Sequence, residues 1–308
     1  MRYLSVCSGI EAATQAWHPL GWSPVAFSEI EPFPSAVLAH HYPSVPNLGD
    51  MTKFKEWPNE PVDLLVGGTP CQSFSVAGLR KGLADPRGNL ALTYLAIAER
   101  YQPRWVLWEN VPGVLSSNGG RDFGSFLGGL GELGYGFAYR VLDAQFARTR
   151  RFPYAVPQRR RRVFVIGYLG DWRRAAAVLF DGQALEVNHQ TPRRKRTPFH
   201  SFAPSCVSRG FGERPSNGGV VGTFQKSGSE TNPAIILEDG TARYLTPLEW
   251  ERGQGFPDNF TRITWRGRPP ENCPDELRRA ALGNSMAVNV MDWIGERINL
   301  VDRMEAAA

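Results

Sequence analysis

Cysteine is scarce in this chain. Its 308 residues hold four, Cys7, Cys71, Cys206 and Cys273, and no two lie close in sequence. That spacing suggests neither a zinc cluster nor a paired redox motif, and it argues against a disulfide scaffold. A reducing compartment such as cytoplasm is expected. Long apolar runs are absent too. None approaches 18 residues, so no membrane-spanning helix is expected. The first residues lack a basic segment followed by an apolar run and a cleavage site, so no secretory leader is expected. Neither sign of charge dominates: 35 Lys and Arg face 30 Asp and Glu, a net charge of +5. This balance permits nucleic-acid binding without establishing it. No internal repeat is visible.

Apolar residues make up 42% of the chain, enough for a sizeable core. The length allows one large domain and a smaller one. The positive charge is concentrated. Between Arg148 and Arg196 stand 13 Arg and Lys, against only Asp171, Asp181 and Glu186. Such a stretch suits a phosphate backbone or, equally, a solvated face.

The first half alternates short apolar strands with helical segments. "YLSVCS", "SPVAFSEI", "VDLLVGG", "RWVLWENV" and "RVFVIGYL" read as strands. "EAATQAWHPLGW", "FPSAVLAHHY", "NLALTYLAIAERY" and the stretch around "FGSFLGGLGELG" read as helices. This alternation predicts an α/β fold with a parallel, doubly wound sheet covered on both faces. Ligands in such sheets sit at the carboxyl ends of the strands. Near residue 170 the texture changes to Gly, Ser, Thr, Asn, Pro and Arg. Phe199, Phe202, Phe211 and Phe224 in that region favour a small packed domain over a linker. "ALGNSMAVNVMDWIGERINLV" at the end is helical and apolar enough to dock on the first domain.

"GGTPCQSFS" puts Cys71 just beyond the apolar run Val62–Val66. A thiol at a strand end, backed by Pro70 and glycines, is well placed to be a nucleophile, although a lone cysteine is commonly a small buried hydrophobe. Together with "WENV", "PQRRRRVFVIG", "RYLTPLEWERGQGFP" and "LGNSMAVNV", in that order, this motif resembles the DNA cytosine-5 methyltransferase family along nearly the whole chain.

The resemblance implies a Rossmann-like S-adenosylmethionine-dependent methyltransferase fold with a smaller, irregular target-recognition domain. The catalytic domain is expected over residues 1–168, completed by 265–308, with target recognition over 169–264. Cys71 is the implied nucleophile, and Glu109 the acid at ring nitrogen 3, with a pKa raised by burial. Arg162 is implied on the exocyclic oxygen, and Arg160 in support of the nucleophile's surroundings. The base that removes the carbon 5 proton is not identified; water is a candidate. S-adenosylmethionine is the implied cofactor, with no metal. Ser8, Gly9 and Ile10 are implied at its glycine turn, where Cys7, Glu11 and Ala12 depart from the family's usual Phe and Gly-Gly pair. Glu29 is implied on the ribose and Ile30 against the adenine. Asp50, beside Met51, is implied on the adenine amino group, and Leu90 in the apolar adenine pocket. Pro70, Asn284, Ser285 and Met286 complete the expected cofactor set. Gln72, Ser75, Arg80, Lys81, Arg87 and Asn110 are implied on DNA, and Arg193, Arg194 and Lys195 are expected on its phosphates.

The implied partner is double-stranded DNA, bound by a monomer in a bacterial cytoplasm or nucleoid, with a phage-encoded origin open. An RNA cytosine-5 methyltransferase of the tRNA-modifying type and a catalytically inactive DNA-binding relative are the two alternatives. "DAQFARTRRFPYAVPQRR" is longer and more basic than its family counterpart, and either widens the DNA surface or lengthens a loop.

Most Arg and Lys at DNA interfaces meet phosphates, not bases. Neutralising Arg193, Arg194 and Lys195 is therefore expected to weaken target and non-target DNA equally. The log–log salt dependence of binding should flatten by about one unit for each phosphate left without its cation. An unchanged slope makes this segment a solvated face.

Overall fold

The computed structural model describes residues 1–70, 89–180, 207–209, 234–236 and 242–306. Four strands run parallel: β1 (Arg2–Val6), β2 (Ser23–Ser28), β3 (Leu64–Gly67) and β4 (Trp105–Asn110). β5 (Tyr135–Asp143) and β6 (Arg161–Leu169) complete a six-stranded sheet in the order β2-β1-β3-β4-β6-β5. β3 and most of β4 are buried on both faces, which explains their unbroken apolar sequences.

Successive residues of each strand feed two separate cores. Leu64, Val66, Trp105 and Leu107 pack to one side, Leu65, Val106 and Trp108 to the other. On the first side lie α1 (Ala12–Trp17), α2 (Pro32–His41), α5 (Trp172–Phe180) and the last helix, α8 (Val288–Ala306). On the second lie α3 (Leu90–Tyr101) and α4 (Arg121–Glu132). The α/β, doubly wound expectation holds.

The expectation of an all-parallel sheet does not. β6 runs antiparallel to both β4 and β5. β5 was not foreseen: "YGFAYRVLD" follows the glycine-rich α4 directly and forms an edge strand with mixed burial, so its apolar signal is weak. α5 was likewise hidden in the polar texture after residue 170. It packs on β5 and β6, and Arg140 and Arg297 donate to its carbonyls at Leu179 and Val178.

Three short strands, β7 (Val207–Arg209), β8 (Ala234–Ile236) and β9 (Ala242–Tyr244), pair antiparallel in order. α6 (Pro247–Gln254) and α7 (Asp275–Asn284) follow.

α8 is tied to the front of the chain. Trp17 donates to the Met291 carbonyl at 2.8 Å, and Trp105 donates to Asp302 at 3.1 Å. A Cβ at Gly295 would lie 2.6 Å from the Trp17 ring, so the α1–α8 approach requires glycine there. The basic connection before β6 is pinned to the same place. Asn289 donates to the Ala144 and Ala147 carbonyls, and Thr149 bonds Asp292 at 2.6 Å. Arg151 donates to the Gln15 and Ala16 carbonyls and pairs with Asp292. That arginine is committed to packing the connection down.

A buried ion pair fixes α6 against α7. Glu251 is fully buried and accepts from Asn259 and Thr261 backbone N–H groups, and Arg278 pairs with it at 3.2 Å. Replacing only the cation leaves a buried carboxylate short of a partner. Arg278→Met is expected to lose about 3–5 kcal/mol of stability in urea unfolding. Stability within about 1 kcal/mol of wild type contradicts this role for the pair.

Candidate active site

The carboxyl ends of β1 to β4 converge on one cavity of about 490 Å³. Just past β3, Gly68, Thr69 and Pro70 line it. A Cβ at Gly68 would come within 2.9 Å of Glu109 Oε2, so a side chain there would displace the Glu109 carboxyl. Beyond Pro70, Cys71 lies outside the described residues, as do Gln72, Ser75, Arg80, Lys81, Arg87, Arg193, Arg194 and Lys195.

The stretch leading to Cys71 is held from β4. Trp108 Nε1 donates to Thr69 Oγ1 at 2.9 Å, and Asn110 Nδ2 donates to the Thr69 carbonyl at 3.0 Å. The Asn110 side-chain oxygen accepts from the Val111 N–H at 2.8 Å. Asn110 is thus buried and bonded within the chain while it lines the cavity. Thr69, unassigned from the sequence although it stands in the same motif as Cys71, is the anchor both side chains use.

Glu109, near the end of β4, lines the cavity and is largely buried. Arg162 Nε lies 3.0 Å from its Oε1. Antiparallel pairing sets Asn110 opposite Val163, so the first residues of β6 arrive beside the last of β4. Burial pushes the Glu109 carboxyl above the usual carboxylate range; Arg162 and Arg160 oppose this shift without cancelling it. Arg160 is itself buried, and its guanidinium donates to the carbonyls of Gly283 at 3.1 Å and Ser285 at 2.7 Å. Burial and the neighbouring Arg162 bring its pKa down to about 9. Arg160 is therefore a brace between β6 and the α7–α8 junction.

The same cavity is lined by the expected cofactor residues Gly9, Glu29, Ile30, Asp50, Met51, Pro70, Leu90 and Asn284. Glu29 follows β2 and accepts from the Gly9 N–H at 2.8 Å and the Glu31 N–H at 2.7 Å. Asp50 caps the short helix Met51–Glu56, one oxygen accepting from the Thr52 N–H and hydroxyl at 2.9 Å each. The Cys7 thiol lies 3.5 Å from Met51 sulfur, and burial together with nearby Glu29 pushes it up to about 12. Ser8, Ser285 and Met286 line a smaller cavity of about 40 Å³ that shares Gly9, Gly68, Glu109 and Asn284 with the larger one. Ile10 lines neither; its side chain is fully buried in the core.

This donor set fits an elongated nucleoside-bearing cofactor. Two acids, Glu29 just past β2 and Asp50 at the cap of the following short helix, can accept from hydroxyl and amino groups. Ile30, Met51 and Leu90 supply apolar walls, and the volume lies in the range of small-molecule sites. Among the described residues, no cluster of three or more His, Cys, Asp or Glu could hold a metal ion, and no helix is long and apolar enough to cross a membrane.

Comparison with known proteins agrees with this geometry. The chain is 33% identical to a protein of Escherichia phage P1 named DNA N-6-adenine-methyltransferase, over 96% of this chain and 61% of that protein. It is 35% identical to the orphan methyltransferase M.SPRI of Bacillus phage SPR, over 96% of this chain and 72% of that protein. The chain therefore spans less than two thirds of the phage P1 relative. In fold it is similar to the S. pombe Dnmt2 methyltransferase, with a TM-score of 0.71 at 17% identity across 99% of both chains. Residues 1–198 and 186–300 match the C-5 cytosine-specific DNA methylases, and the chain belongs to that family.

Proposed function

We propose that this protein methylates carbon 5 of cytosine within a specific sequence of duplex DNA, with Cys71 as nucleophile. The observation that carries the reading is the buried Glu109, 3.0 Å from Arg162 and lining the same cavity as Thr69 and Pro70, which immediately precede Cys71 in the sequence. S-adenosylmethionine is the methyl donor that goes with the family, and when bound it supplies an electrophilic methyl group. Glu29, Asp50 and the apolar walls around Leu90 would hold it.

Carbon 5 of cytosine is a poor nucleophile until carbon 6 carries an electron-rich substituent. The Cys71 thiolate adds to carbon 6, and the ring electrons shift toward nitrogen 3. Glu109 meets that charge by donating its proton or a hydrogen bond, which requires the neutral acid. Arg162 orients the exocyclic oxygen and offsets charge on the ring. Once carbon 5 has taken the methyl group, its proton departs to a base, the carbon 5–carbon 6 double bond re-forms, the thiolate leaves and Glu109 takes back its proton from nitrogen 3. A base reaching this cavity must first leave the helical stack.

The name of the phage P1 relative points to the adenine amino group. An exocyclic amine is already a nucleophile and has no use for a thiol that adds to a ring carbon, so the Cys71, Glu109 and Arg162 set supports cytosine. An RNA cytosine substrate would use the same residues. The basic stretch between Arg148 and Arg196 and the match to the C-5 cytosine-specific DNA methylases support DNA. Target recognition is proposed for the region between the two parts of the catalytic domain. Because Trp172–Phe180 and the stretch from Leu245 to Ile263 pack into the main core, its working part is drawn inward to about residues 181–244. Action as a monomer is part of the same proposal.

Duplex DNA carrying 5-fluorocytosine is expected to trap the wild-type protein as a covalent adduct, because no proton can leave carbon 5. Cys71→Ser should form none, since a hydroxyl is a far weaker nucleophile at neutral pH. Trapping on RNA but not DNA selects the RNA reading, and an adduct with Cys71→Ser overturns the nucleophile.

Glu109 also fixes a pH dependence. Its raised pKa favours the acid form, so turnover is expected to hold below that pKa and fall as pH rises through it, above the ordinary carboxylate range. Arg162→Met removes a cation that pulls the pKa down, and should move this alkaline limb upward while lowering the rate. Single-turnover rates against pH check both shifts. A limb that survives in Glu109→Gln belongs to another group.

A further inference from the structure

The turn between β1 and α1 contains three residues with left-handed backbone: Cys7 (φ 48°), Gly9 (φ 57°) and Glu11 (φ 64°). Glycine adopts this conformation freely, and other residues hold it only when their surroundings compel it. What compels Glu11 is visible. Its side chain is buried, and its carboxyl accepts from the Ser5 hydroxyl, from the Thr14 N–H at 3.0 Å and from Thr14 Oγ1 at 2.6 Å. Thr14 Oγ1 in turn shares a hydrogen bond with the Tyr3 hydroxyl at 2.6 Å. Tyr3 and Ser5 are alternate residues of β1, and Thr14 lies on α1. The carboxyl therefore bridges strand to helix across the intervening turn.

That turn faces the site. Ser8 and Gly9 line the smaller cavity together with Glu11, and Gly9 also meets Glu29. Burial pushes the Glu11 pKa upward, and the hydrogen bonds it accepts from Ser5 and Thr14 oppose that shift by holding the carboxyl in place.

We infer that Glu11 is a positioning residue for the cofactor: its bonds to Ser5 and Thr14 lock the β1–α1 turn in the shape that presents Ser8 and Gly9 to the cavity. Side-chain bonding achieves here what a glycine's missing side chain would otherwise permit. This rests on the S-adenosylmethionine reading above. Its consequence runs against intuition. A glycine at position 11 removes the backbone strain yet loosens the turn, so it should weaken the cofactor rather than improve the site.

Calorimetric titration with S-adenosylhomocysteine, thermal melting and steady-state kinetics on wild type, Glu11→Gly, Glu11→Gln and Ser5→Ala test this. Glu11→Gly loses several hydrogen bonds and is expected to raise Kd and the cofactor KM by about tenfold or more, with kcat at saturating cofactor within about threefold of wild type. Glu11→Gln can accept from Thr14 and donate to Ser5, and should stay within about threefold of wild type in Kd. A Glu11→Gly protein that binds as tightly as wild type overturns the inference. So does one whose kcat at saturation falls as far as its affinity. If Glu11→Gly does not fold, Ser5→Ala carries the test: weakening of about threefold or more supports the lock, and wild-type affinity overturns it. A wild-type protein that binds no S-adenosylhomocysteine removes the cofactor reading itself, a result distinct from failure of the variants.

Discussion

The direction of one strand makes the site possible. β6 runs opposite to β4, so its first residues, not its last, stand beside the end of β4. Arg162 can therefore reach Glu109, and Arg160 can reach the carbonyls of Gly283 and Ser285. A parallel β6 would carry both arginines to the far edge of the sheet, leaving a buried carboxyl with no cation nearby. The pair also explains the carboxyl's character. Burial raises the Glu109 pKa and the two cations pull against it, burial being the larger influence.

The second dependence is closure by the C-terminal segment. α8 packs on α1 through Trp17 and Gly295, and the junction before it supplies Asn284, Ser285 and Met286 to the two cavities. Arg160 spans from β6 to that junction. Arg160 thereby ties the start of β6, which brings Arg162 to Glu109, to the cavity wall. The connection before β6 is held to α8 by Asn289 and Asp292, which fixes where β6 begins. On the other side of the cavity, Thr69 receives both Trp108 and Asn110, so β4 sets the acid and the approach to the nucleophile together.

Much of this was legible in the sequence, for definite reasons. Strands buried on both faces, such as "VDLLVGG" and "RWVLWENV", are unbroken apolar runs, and their ends mark the ligand side of the sheet. Glu109, Glu29, Asp50 and Asn284 were found from that rule and from motif order, and all line one cavity. Strand direction was not legible, because direction depends on connections and β5 alternates too weakly to announce itself. The bonds of Asn110 to Thr69 and Val111 were not legible either, because a side chain at a strand end can turn inward to the backbone as readily as outward to a partner. Ile10 lies within the glycine motif, but its side chain points into the core. Glu11 was visible only as a departure from the family pattern. Its meaning required the distances to Ser5 and Thr14, which join β1 to α1 in a way that no local pattern reveals.

The central claim, a cytosine-5 methyltransferase acting on DNA through Cys71, is tested most directly by bisulfite sequencing of genomic DNA from cells expressing the wild-type protein, beside cells expressing Cys71→Ser. The account predicts protected cytosines at one short sequence context with wild type and none with the variant. Full conversion of every cytosine in both, or equal protection in both, would contradict it.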